Sequence, residues 1–393
     1  MTSPDDIEQA VADVLARHQT TFSKSVDTCI AIPDATRPLS FEAVLRPLLR
    51  QVDTRDSSTT VLVALGLHRP MTNEELAPVR RAIGDRRVDV IQHDAHSADL
   101  VEVGVVDDVP VFLHRQILES QRVICVGTVE PHQYAGYSGG IKALSIGCAG
   151  AQTIGAMHGL KFLRNERTTL GRVEDNPFQE ALWAIASPLD EIWGLQIVPA
   201  PGGGISGVFF DEIRTAFDDA CRLAARTFFE PVDEAYDWLH LPVPPEKAAN
   251  FYQASRAATY AALVNRPAIK RAGTLLVEAA CPEGMGRGAG ERACAEAMRR
   301  GPAQLLRELR GDRQVTTRGG QQRAYVLART CERHRVVLVG APRIDELAAF
   351  GIEQFDTVDQ ARVALGLKAG EGRTVDDIFH RIPRRRLRRD GDR

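Results

Sequence analysis

The feature that most constrains the fold is a repeated pattern of buried strand, polar loop and helix in the first 130 residues. In the clearest copy, the apolar run Thr59–Leu65 precedes the loop Gly66–Pro70, and Thr72 and Glu75 then have the spacing of a helix capping box. Further apolar runs predict strands at 28–32, 88–93, 109–113 and 123–127. Strands that alternate with helices are typical of an α/β fold, so we predict a doubly wound, mostly parallel sheet.

The length of the chain predicts more than one domain. A chain of 393 residues exceeds what a single hydrophobic core usually holds. We expect an N-terminal αβ domain over residues 1–230 and a C-terminal αβ domain over residues 231–367, where strands and helices again alternate. Residues 368–393 are expected to return to the first domain, with a last helix over residues 371–389. The predicted fold class is therefore α/β with two αβ domains.

Composition and charge exclude several classes of partner. The formal net charge of −3 is too small to predict a polyanionic partner, and the basic run Arg384–Arg389 has no interleaved aromatic residue, so we expect no nucleic acid. The seven cysteines form no CxxC pair, which favours reduced thiols over a disulfide framework. Residues 1–20 are acidic and do not resemble a secretory signal, and no apolar run approaches membrane-spanning length, so we expect a cytoplasmic protein without a membrane partner.

Polar side chains are concentrated in three loops that follow predicted strands. These loops cover residues 34–37, 66–70 and 127–142. Ligands of open α/β sheets bind beyond the carboxyl ends of the strands. We therefore predict a site at one edge of the sheet, and its candidate residues are Asp34, Arg37, His68, His132 and Lys142.

His68 and His132 lie in separate loops and are a candidate pair of bases. Two imidazoles that face one carbon from opposite sides can take a proton from one face and supply it at the other, which is what a racemase requires. The alternative is that each is a loop histidine hydrogen-bonded to the backbone. The residues by themselves leave both interpretations open.

The loop Gly136–Gly140 brings adaptable backbone next to Lys142. Gly139 and Gly140 leave backbone N–H groups for a phosphate, although the GxxxxGK[ST] spacing of a P-loop is absent. Small apolar neighbours are expected to desolvate Lys142, which favours the neutral, nucleophilic amine that can bond to a cofactor. The alternative is a surface lysine at the start of a helix.

Three further positions are candidate ligand contacts. His158 has no second metal-binding side chain three or four residues away, so it suits a metal only if a non-protein group supplies the other ligands. Arg37 can hold a carboxylate with its guanidinium fork, or it can form a local salt bridge with Asp34. Gln253 and Arg256 are three residues apart and hence share one face of a predicted helix.

Taken together, these motifs resemble the lactate racemase family, whose enzymes use a nickel-pincer nucleotide. Asp34–Pro38 is similar to the D-x-T-R-P loop of the family, and Gly66–Thr72 to its G-x-H-R-P-M-T loop. Pro131–Lys142 resembles the P-H…G-[YF]-S-G-G-x-K signature, which is long and specific. Tyr252–Arg256 resembles the Y-Q-A-x-K helix. The resemblance is strong over residues 28–180 and looser over residues 250–340.

The resemblance implies a cofactor, pyridinium-3,5-bisthiocarboxylic acid mononucleotide nickel. Lys142 would bind it covalently through a thioamide, and Ser138, Gly139 and Gly140 would contribute to its binding. His158 would be the one protein ligand of nickel, because the pincer supplies sulfur, carbon and sulfur. Proteins that mature the cofactor are implied as partners.

The resemblance also implies roles for the remaining candidates. His68 and His132 would be the two bases, which take the hydroxyl proton of a 2-hydroxy acid while hydride moves from its α-carbon to the cofactor. Hydride that returns to either face scrambles the configuration. The implied site lies in the cleft between two αβ domains. The implied substrate-binding residues are Asp34, Arg37, Tyr252, Gln253 and Arg256.

Two departures from the family pattern bear on the substrate. The substrate-side lysine of the family is Arg256 here, and the wider planar guanidinium is not interchangeable with an ammonium group. The lactate enzymes of the family carry a tryptophan where this chain has Arg318–Arg323, which contains no aromatic residue. We therefore expect a 2-hydroxy acid that is larger or more polar than lactate, such as an aldonic acid epimerised at C2.

Two other function classes stay open at this point. A 2-hydroxy acid dehydrogenase would run the same hydride chemistry with a free nicotinamide, but no G-x-G-x-x-G follows the first strand. A non-catalytic nickel or cofactor carrier would need Lys142 and His158, but it would not need both His68 and His132.

Overall fold

The structure is a computed structural model, and it describes residues 3–37, 39–52, 57–311 and 317–386. Pro38 of the first loop motif and residues 387–389 of the predicted basic tail lie outside the described residues. The α-helices are α1 Pro4–Ala16, α2 Phe41–Gln51, α3 Asn73–Ile83, α4 Arg115–Glu119, α5 Lys142–Ser145, α6 Ala151–Met157, α7 Leu160–Leu163, α8 Pro177–Ile185, α9 Ile213–Phe228, α10 Phe251–Ala254, α11 Arg256–Leu263, α12 Ala289–Met298, α13 Pro302–Arg310, α14 Gln321–Arg333, α15 Glu346–Ala349 and α16 Val358–Ala364.

The strands alternate with these helices along most of the chain, which is the predicted α/β pattern. They are β1 Thr28–Ile32, β2 Thr59–Val63, β3 Asp89–Gln92, β4 Leu100–Val106, β5 Val109–His114, β6 Arg122–Thr128, β7 Pro131–His132, β8 Gly136–Tyr137, β9 Ile192–Pro199, β10 Ile205–Glu212, β11 Phe229–Val232, β12 Tyr236–Pro242, β13 Ile269–Glu278, β14 Arg335–Val339, β15 Glu353–Phe355, β16 Gly372–Thr374 and β17 Ile382–Arg385.

The chain divides into two compact units. The first unit lies within residues 1–132, 137–157 and 173–227, and the second lies within residues 133–136, 158–172 and 228–393. The first unit contains a six-stranded sheet in the order β10-β9-β6-β1-β2-β3. Every neighbouring pair in this sheet is parallel except β9 with β10. The prediction of a mostly parallel sheet is confirmed.

The centre of this sheet is the triplet β6-β1-β2, and all residues of these strands are buried. Thr28 of β1 pairs in parallel register with both Thr59 of β2 and Arg122 of β6. The loops that follow the three strands therefore leave the same edge of the sheet. The apolar faces of α1, α2 and α3 belong to the core of this sheet, through residues such as Leu15, Leu48 and Val79.

Local signals in the sequence explain several helix starts. The hydroxyl group of Thr72 accepts a hydrogen bond from the N–H of Glu75, and the Glu75 carboxylate accepts one from the N–H of Thr72 at 2.7 Å. This reciprocal pair is the predicted capping box of α3, and it satisfies two backbone donors that the helix leaves unpaired. Ser3 and Asp6 form the same motif at the start of α1.

Two predictions for the first unit need correction. The fourth predicted strand, β5, lies outside the main sheet and pairs with β4 as an antiparallel hairpin. The stretch Pro201–Gly207 was predicted to be a break, but its last three residues belong to the edge strand β10, Ile205–Glu212. Hydrogen bonds join the β4–β5 hairpin to the segment before α6, where the N–H of Gly150 donates to the carbonyl of Phe112 at 2.9 Å.

The second unit has its own five-stranded sheet in the order β15-β14-β13-β12-β16, in which all pairs are parallel. A last helix over residues 371–389 was predicted, but that prediction is wrong for the described part. Strand β16 pairs with β12, and β17 pairs with β11. Residues 372–386 therefore pair with strands of the second unit, whereas the sequence predicted a return to the first domain.

No helix within the four described stretches of the chain is long and apolar enough to cross a membrane.

Two buried histidines join β3 and β5 to the turn before α6. The ring of His93 lies 5.6 Å from that of His114, and its Nε2 atom lies 3.0 Å from the carbonyl oxygen of Ala149, a distance at which Nε2–H donates. Burial lowers the pKa of His93 to about 4. Burial also lowers the pKa of His114. Both imidazoles are therefore neutral in the folded protein at neutral pH.

This pair predicts acid-sensitive folding of the first unit. The pKa of His93 is about 4 in the folded state and about 6.5 in the unfolded chain, so the unfolded chain binds more protons between these values. The free energy of unfolding should fall by about 3 kcal/mol as the pH drops from 7 to 4. Urea unfolding followed by tryptophan fluorescence measures it. His93→Gln should reduce this pH dependence, and the exposed control His96→Gln should not. If the free energy of unfolding fell equally with pH in both variants and the unaltered protein, His93 would not be its cause.

Candidate functional site

The loop after β1 turns around the buried carboxylate of Asp34. This carboxylate accepts hydrogen bonds from the backbone N–H of Thr36 at 3.2 Å and from its hydroxyl group at 2.6 Å. The N–H of Arg37 donates to the carbonyl of Asp34 at 3.2 Å. An aspartate that bonds to the backbone two residues on is a common way to fix a tight turn. The turn holds Asp34 and Arg37 at the end of β1.

The same carboxylate orients His68, which lies in the loop after β2. Asp34 Oδ2 is 2.5 Å from His68 Nδ1. Burial opposes ionisation of Asp34, but the hydrogen bonds from His68 and Thr36 outweigh it and lower its pKa to about 2. An ionised carboxylate at Nδ1 keeps the proton there and leaves Nε2 as the basic nitrogen. The His68 side chain is 59% exposed while that of Asp34 is 9% exposed, so the imidazole is the part that a ligand can reach.

Lys142 begins α5 and is the amine of this site. Burial and, as a smaller cause, the positive charge of Arg37 lower its pKa from 10.5 to about 8, and the negative charge of Asp34 partly opposes the shift. Asp34, Arg37 and Lys142 therefore lie within electrostatic reach of one another. At pH 7 roughly a tenth of the Lys142 amines are neutral, compared with far fewer for an ordinary lysine. The predicted desolvation of Lys142 agrees with this shift.

The glycine loop before Lys142 is fixed by Gln196 of β9. The N–H of Gly140 donates to Gln196 Oε1 at 2.7 Å, and Gln196 Nε2 donates to the carbonyl of Cys125 at 2.9 Å. Gly139 has φ +77°, and a Cβ atom there would lie 2.7 Å from Val129 Cγ2. Glycine is thus required for conformation and close packing. The N–H of Gly140 is occupied, so the argument that both glycines offer free N–H groups to a phosphate does not hold for Gly140.

Ser138 is also engaged within this loop. Its hydroxyl group donates to the carbonyl of Thr128 at 2.8 Å and accepts from the N–H of Glu130 at 3.0 Å. Strands β7 and β8 pair as a short hairpin between these residues. His132 is in this hairpin and is partly buried. The hairpin therefore fixes the backbone of the second candidate base, whose catalytic role stays a prediction.

Other predicted residues lie in the second unit. His158 follows the last residue of α6, and its ring meets the buried Tyr134 edge-on, with 5.8 Å between the ring centroids. Burial raises the pKa of Tyr134 to about 12, and the nearby charges of Arg323, Arg256 and Arg329 oppose that shift. The second unit therefore brings His158 and a group of arginines around one tyrosine.

Tyr252, Gln253 and Arg256 lie at the helix start where they were predicted, although a break at Ser255 divides this helix into α10 and α11. Asn250 caps α10 by accepting a hydrogen bond from the N–H of Gln253 at 3.0 Å. All three predicted side chains are partly buried. Their substrate-binding role stays a prediction.

Sequence reasoning missed the residues that surround this helix. Arg323 of α14 lies with its guanidinium carbon 5.5 Å from the centroid of the Tyr252 ring, and its Nη1 atom donates to Gln133 Oε1 at 3.0 Å. Gln133 also donates to the hydroxyl group of Thr259. The available signals were weak: Gln133 directly follows His132, and Arg323 ends the stretch that lacks the tryptophan of the lactate enzymes.

The donor set can be tested against the implied cofactor. Within the part of the chain that the structure describes, no group of three or more His, Cys, Asp or Glu side chains is placed to hold a metal ion. His158 therefore suits a metal only if the bound group supplies most of the ligands. Lys142, with a pKa of about 8, has the nucleophilic amine that a covalent link to that group requires. These residues fit a covalently bound group that brings its own metal ligands.

Comparison with known sequences finds similarity to one protein family. Residues 3–171 match the family model described as "Lactate racemase N-terminal domain". The N-terminal part of the chain is therefore similar to the lactate racemase family. Two similar proteins are the lactate racemases of Thermoanaerobacterium thermosaccharolyticum, 24% identical over 86% of this chain and 80% of that protein, and of Lactiplantibacillus plantarum, 23% identical over 88% and 81%.

Solved structures support the fold of the chain. The apoprotein structure of the lactate racemase from T. thermosaccharolyticum matches with a TM-score of 0.81 and 20% identity, covering 96% of this chain and 93% of that one. A crystal structure of a Thermotoga maritima protein from a structural genomics consortium matches with a TM-score of 0.68 and 15% identity, covering 98% of both chains. At such identities the matches show the fold alone.

The electrostatics of this loop site predict how Lys142 reacts. Acetylation by acetic anhydride, followed by peptide mass spectrometry, should have its half-maximal rate near pH 8 at Lys142, with the exposed Lys24 as internal reference. Arg37→Gln should raise this midpoint because it removes a cation that lowers the pKa. Asp34→Asn should lower it because it removes an anion that raises the pKa.

The matched control is Arg69→Gln in the neighbouring loop. The Arg69 guanidinium pairs with Glu75 at 2.7 Å and 2.8 Å and does not contribute to the Lys142 shift. This variant should leave the Lys142 midpoint unchanged. If neither Arg37→Gln nor Asp34→Asn moved the midpoint, the three groups would not form one electrostatic site.

Proposed function

We propose that this chain is an isomerase, a racemase or epimerase of 2-hydroxy acids that works by proton-coupled hydride transfer with a nickel-pincer nucleotide. The observation that carries the proposal is the Asp34–His68 pair beside an amine whose pKa is lowered to about 8. A base with a fixed tautomer and a nucleophilic lysine are the two groups that such a reaction requires of the protein. The loops that carry them belong to a chain whose relatives are named lactate racemases.

The proposal assigns three parts of the chain to the cofactor. Lys142 would hold it through a thioamide, with Ser138 and Gly139 shaping the loop beside the attachment point, and His158 would be the protein ligand of nickel. When bound, the cofactor supplies a hydride acceptor for the α-carbon of the substrate. The protein supplies every proton transfer and every contact that orients the substrate.

His68 is proposed to take the hydroxyl proton of one enantiomer and to return it. Asp34 holds the Nδ1 proton of His68, so the Nε2 lone pair is the base. With a pKa of about 2, Asp34 stays ionised through the working pH range and stabilises the imidazolium that forms. His132 is proposed to do the same for the opposite enantiomer. Arg37 is proposed to bind the carboxylate of the substrate, since a guanidinium fork matches its two oxygens.

The substrate is proposed to be larger or more polar than lactate, for example an aldonic acid epimerised at C2. The support comes from the second unit, where Arg256 and Arg323 lie near Tyr134, and Arg323 also lies over Tyr252. Guanidinium groups favour polar or anionic substituents over the methyl group of lactate. Tyr252, Gln253 and Arg256 are proposed as substrate contacts on this side.

The test is isomerisation of enantiopure 2-hydroxy acids in D₂O, with protein produced together with the cofactor-making enzymes. Hydride that leaves and returns does not exchange with solvent, so the product should keep its α-hydrogen and gain no α-deuterium. Chiral chromatography measures the inversion, and mass spectrometry measures the isotope. An α-deuterium atom in every inverted product would indicate proton abstraction from carbon and would contradict the hydride mechanism.

Variants of the two bases separate an enzyme from a cofactor carrier. His68→Gln and His132→Gln should each lower kcat by roughly 100- to 10,000-fold, because one proton transfer loses its base. The protein should still carry the cofactor, as measured by intact mass. The exposed variant His96→Gln is the matched control and should keep full turnover. Undiminished turnover in both base variants would contradict their assignment.

A further inference from the structure

Arg323 is a buried cation in the first turn of α14. Only 8% of its surface is exposed. A buried charge destabilises a protein unless an opposite charge and hydrogen bonds compensate it. The contacts of Arg323 therefore indicate whether the folded chain itself supplies that compensation.

The chain supplies Arg323 with neutral partners. Its Nη1 atom donates to Gln133 Oε1 at 3.0 Å, and its guanidinium carbon lies 5.5 Å from the ring centroid of Tyr252. Among the described residues, its Nε atom has no hydrogen-bond partner. Nε has less than 1 Å² of accessible surface, so Nη2 is the nitrogen at which a carboxylate can pair with this guanidinium group.

Two other arginines of the same unit have acidic partners. Arg300 pairs with Glu308 at 3.0 Å, and Arg310 pairs with Glu332 at 2.6 Å. Within residues 3–37, 39–52, 57–311 and 317–386, no carboxylate lies within 4.0 Å of the Arg323 nitrogens. Arg323 is more buried than either of these paired arginines, so it has the stronger need of an anion.

The surroundings of Arg323 are the predicted substrate residues. Tyr252 lies against its guanidinium group, and Arg323 and Arg256 both act electrostatically on Tyr134. Gln133, which accepts its hydrogen bond, directly follows the proposed base His132 in the chain. This cluster of side chains reaches the surface of the second unit, because Tyr252, Gln133 and Arg256 are only partly buried.

We propose that Arg323 binds a second acidic group, at the end of the substrate away from its 2-hydroxy acid carbon. The proposal rests on the function proposed above, and it narrows the larger or more polar 2-hydroxy acids named there to dicarboxylic acids in place of the aldonic acid example. A distal hydroxyl group would accept a hydrogen bond but would leave the buried charge uncompensated, whereas a carboxylate paired with Nη2 compensates it. Arg323 is therefore a specificity-determining residue that favours diacids over neutral polyhydroxylated acids.

Three substrates of equal chain length test the distal group. These are 2-hydroxybutyrate, 2,4-dihydroxybutyrate and 2-hydroxysuccinate, which end in a methyl, a hydroxymethyl and a carboxylate group. The cofactor-loaded protein should isomerise 2-hydroxysuccinate with a kcat/KM at least about 10-fold above the other two, as expected for a hydrogen bond between charged groups. Arg323→Gln should remove roughly 10- to 100-fold from kcat/KM for 2-hydroxysuccinate and leave 2-hydroxybutyrate within about 3-fold.

Arg329→Gln is the matched control on the same helix. Arg329 is equally buried at 8%, but its Nη1 atom donates to the backbone carbonyl of Leu163 at 2.6 Å. This variant should lower the unfolding temperature without changing the order of the three substrates. Arg323→Lys keeps the charge and should retain part of the diacid preference, which keeps the test available if Arg323→Gln does not fold.

A binding measurement tests the subsite without turnover. Isothermal titration calorimetry should find that succinate binds more tightly than butyrate, and that Arg323→Gln removes the difference. Equal binding of the two acids by the unaltered protein would overturn the proposal. If succinate binds more tightly than butyrate but no 2-hydroxy acid is isomerised, the subsite stands and the proposed function fails.

The remaining outcomes concern other sources of anion binding. If Arg323→Gln lowered kcat/KM equally for all three substrates, the residue would not recognise the distal group. If it lowered the fraction of protein carrying the cofactor by intact mass, Arg323 would bind the cofactor phosphate instead. Either result overturns the diacid subsite, and so does a preference of the unaltered protein for the methyl or hydroxymethyl substrate.

Discussion

The loop site depends on the parallel register of three buried strands. Because Thr28 is level with both Thr59 and Arg122, β1, β2 and β6 end at the same edge of the sheet. The chain that leaves this edge carries Asp34, then His68, then the segment that leads to Lys142. A slip of one residue in either pairing would move each side chain of the shifted strand to the opposite face of the sheet and displace the loop that follows by about 3 Å. The apolar core therefore fixes the position of the polar loops.

Burial acts on the two ionisable groups of this edge in different ways. Asp34 is buried but accepts hydrogen bonds from His68 and Thr36, and these outweigh desolvation, so its pKa falls to about 2. For Lys142 the charge of Asp34 offsets desolvation only in part, and desolvation with the charge of Arg37 lowers its pKa to about 8. One loop cluster thus holds a permanent anion beside a histidine and an amine that is partly neutral. This combination is what the proposed chemistry requires of the protein.

The sequence predicted elements whose signals are local, and it failed where the cause is distant or ambiguous. The capping box of α3 and the buried strands β1, β2 and β6 follow from short-range patterns. Strand β10 was missed because Gly202–Gly204 look like a break, whereas their positive φ angles form the turn into an antiparallel edge strand. Arg323 was missed because its partner Gln133 is 190 residues away in the chain. No local pattern predicts that contact.

The most direct measurement is the intact mass and nickel content of the protein, produced together with the cofactor-making enzymes. The account predicts a mass increment of a modified nicotinate mononucleotide with nickel bound, and Lys142→Ala should lose that increment. His158→Ala should keep the organic increment but lose nickel, because it removes the one proposed protein ligand. No increment and no nickel, under conditions that load a lactate racemase, would contradict the central proposal that Lys142 and His158 hold this cofactor.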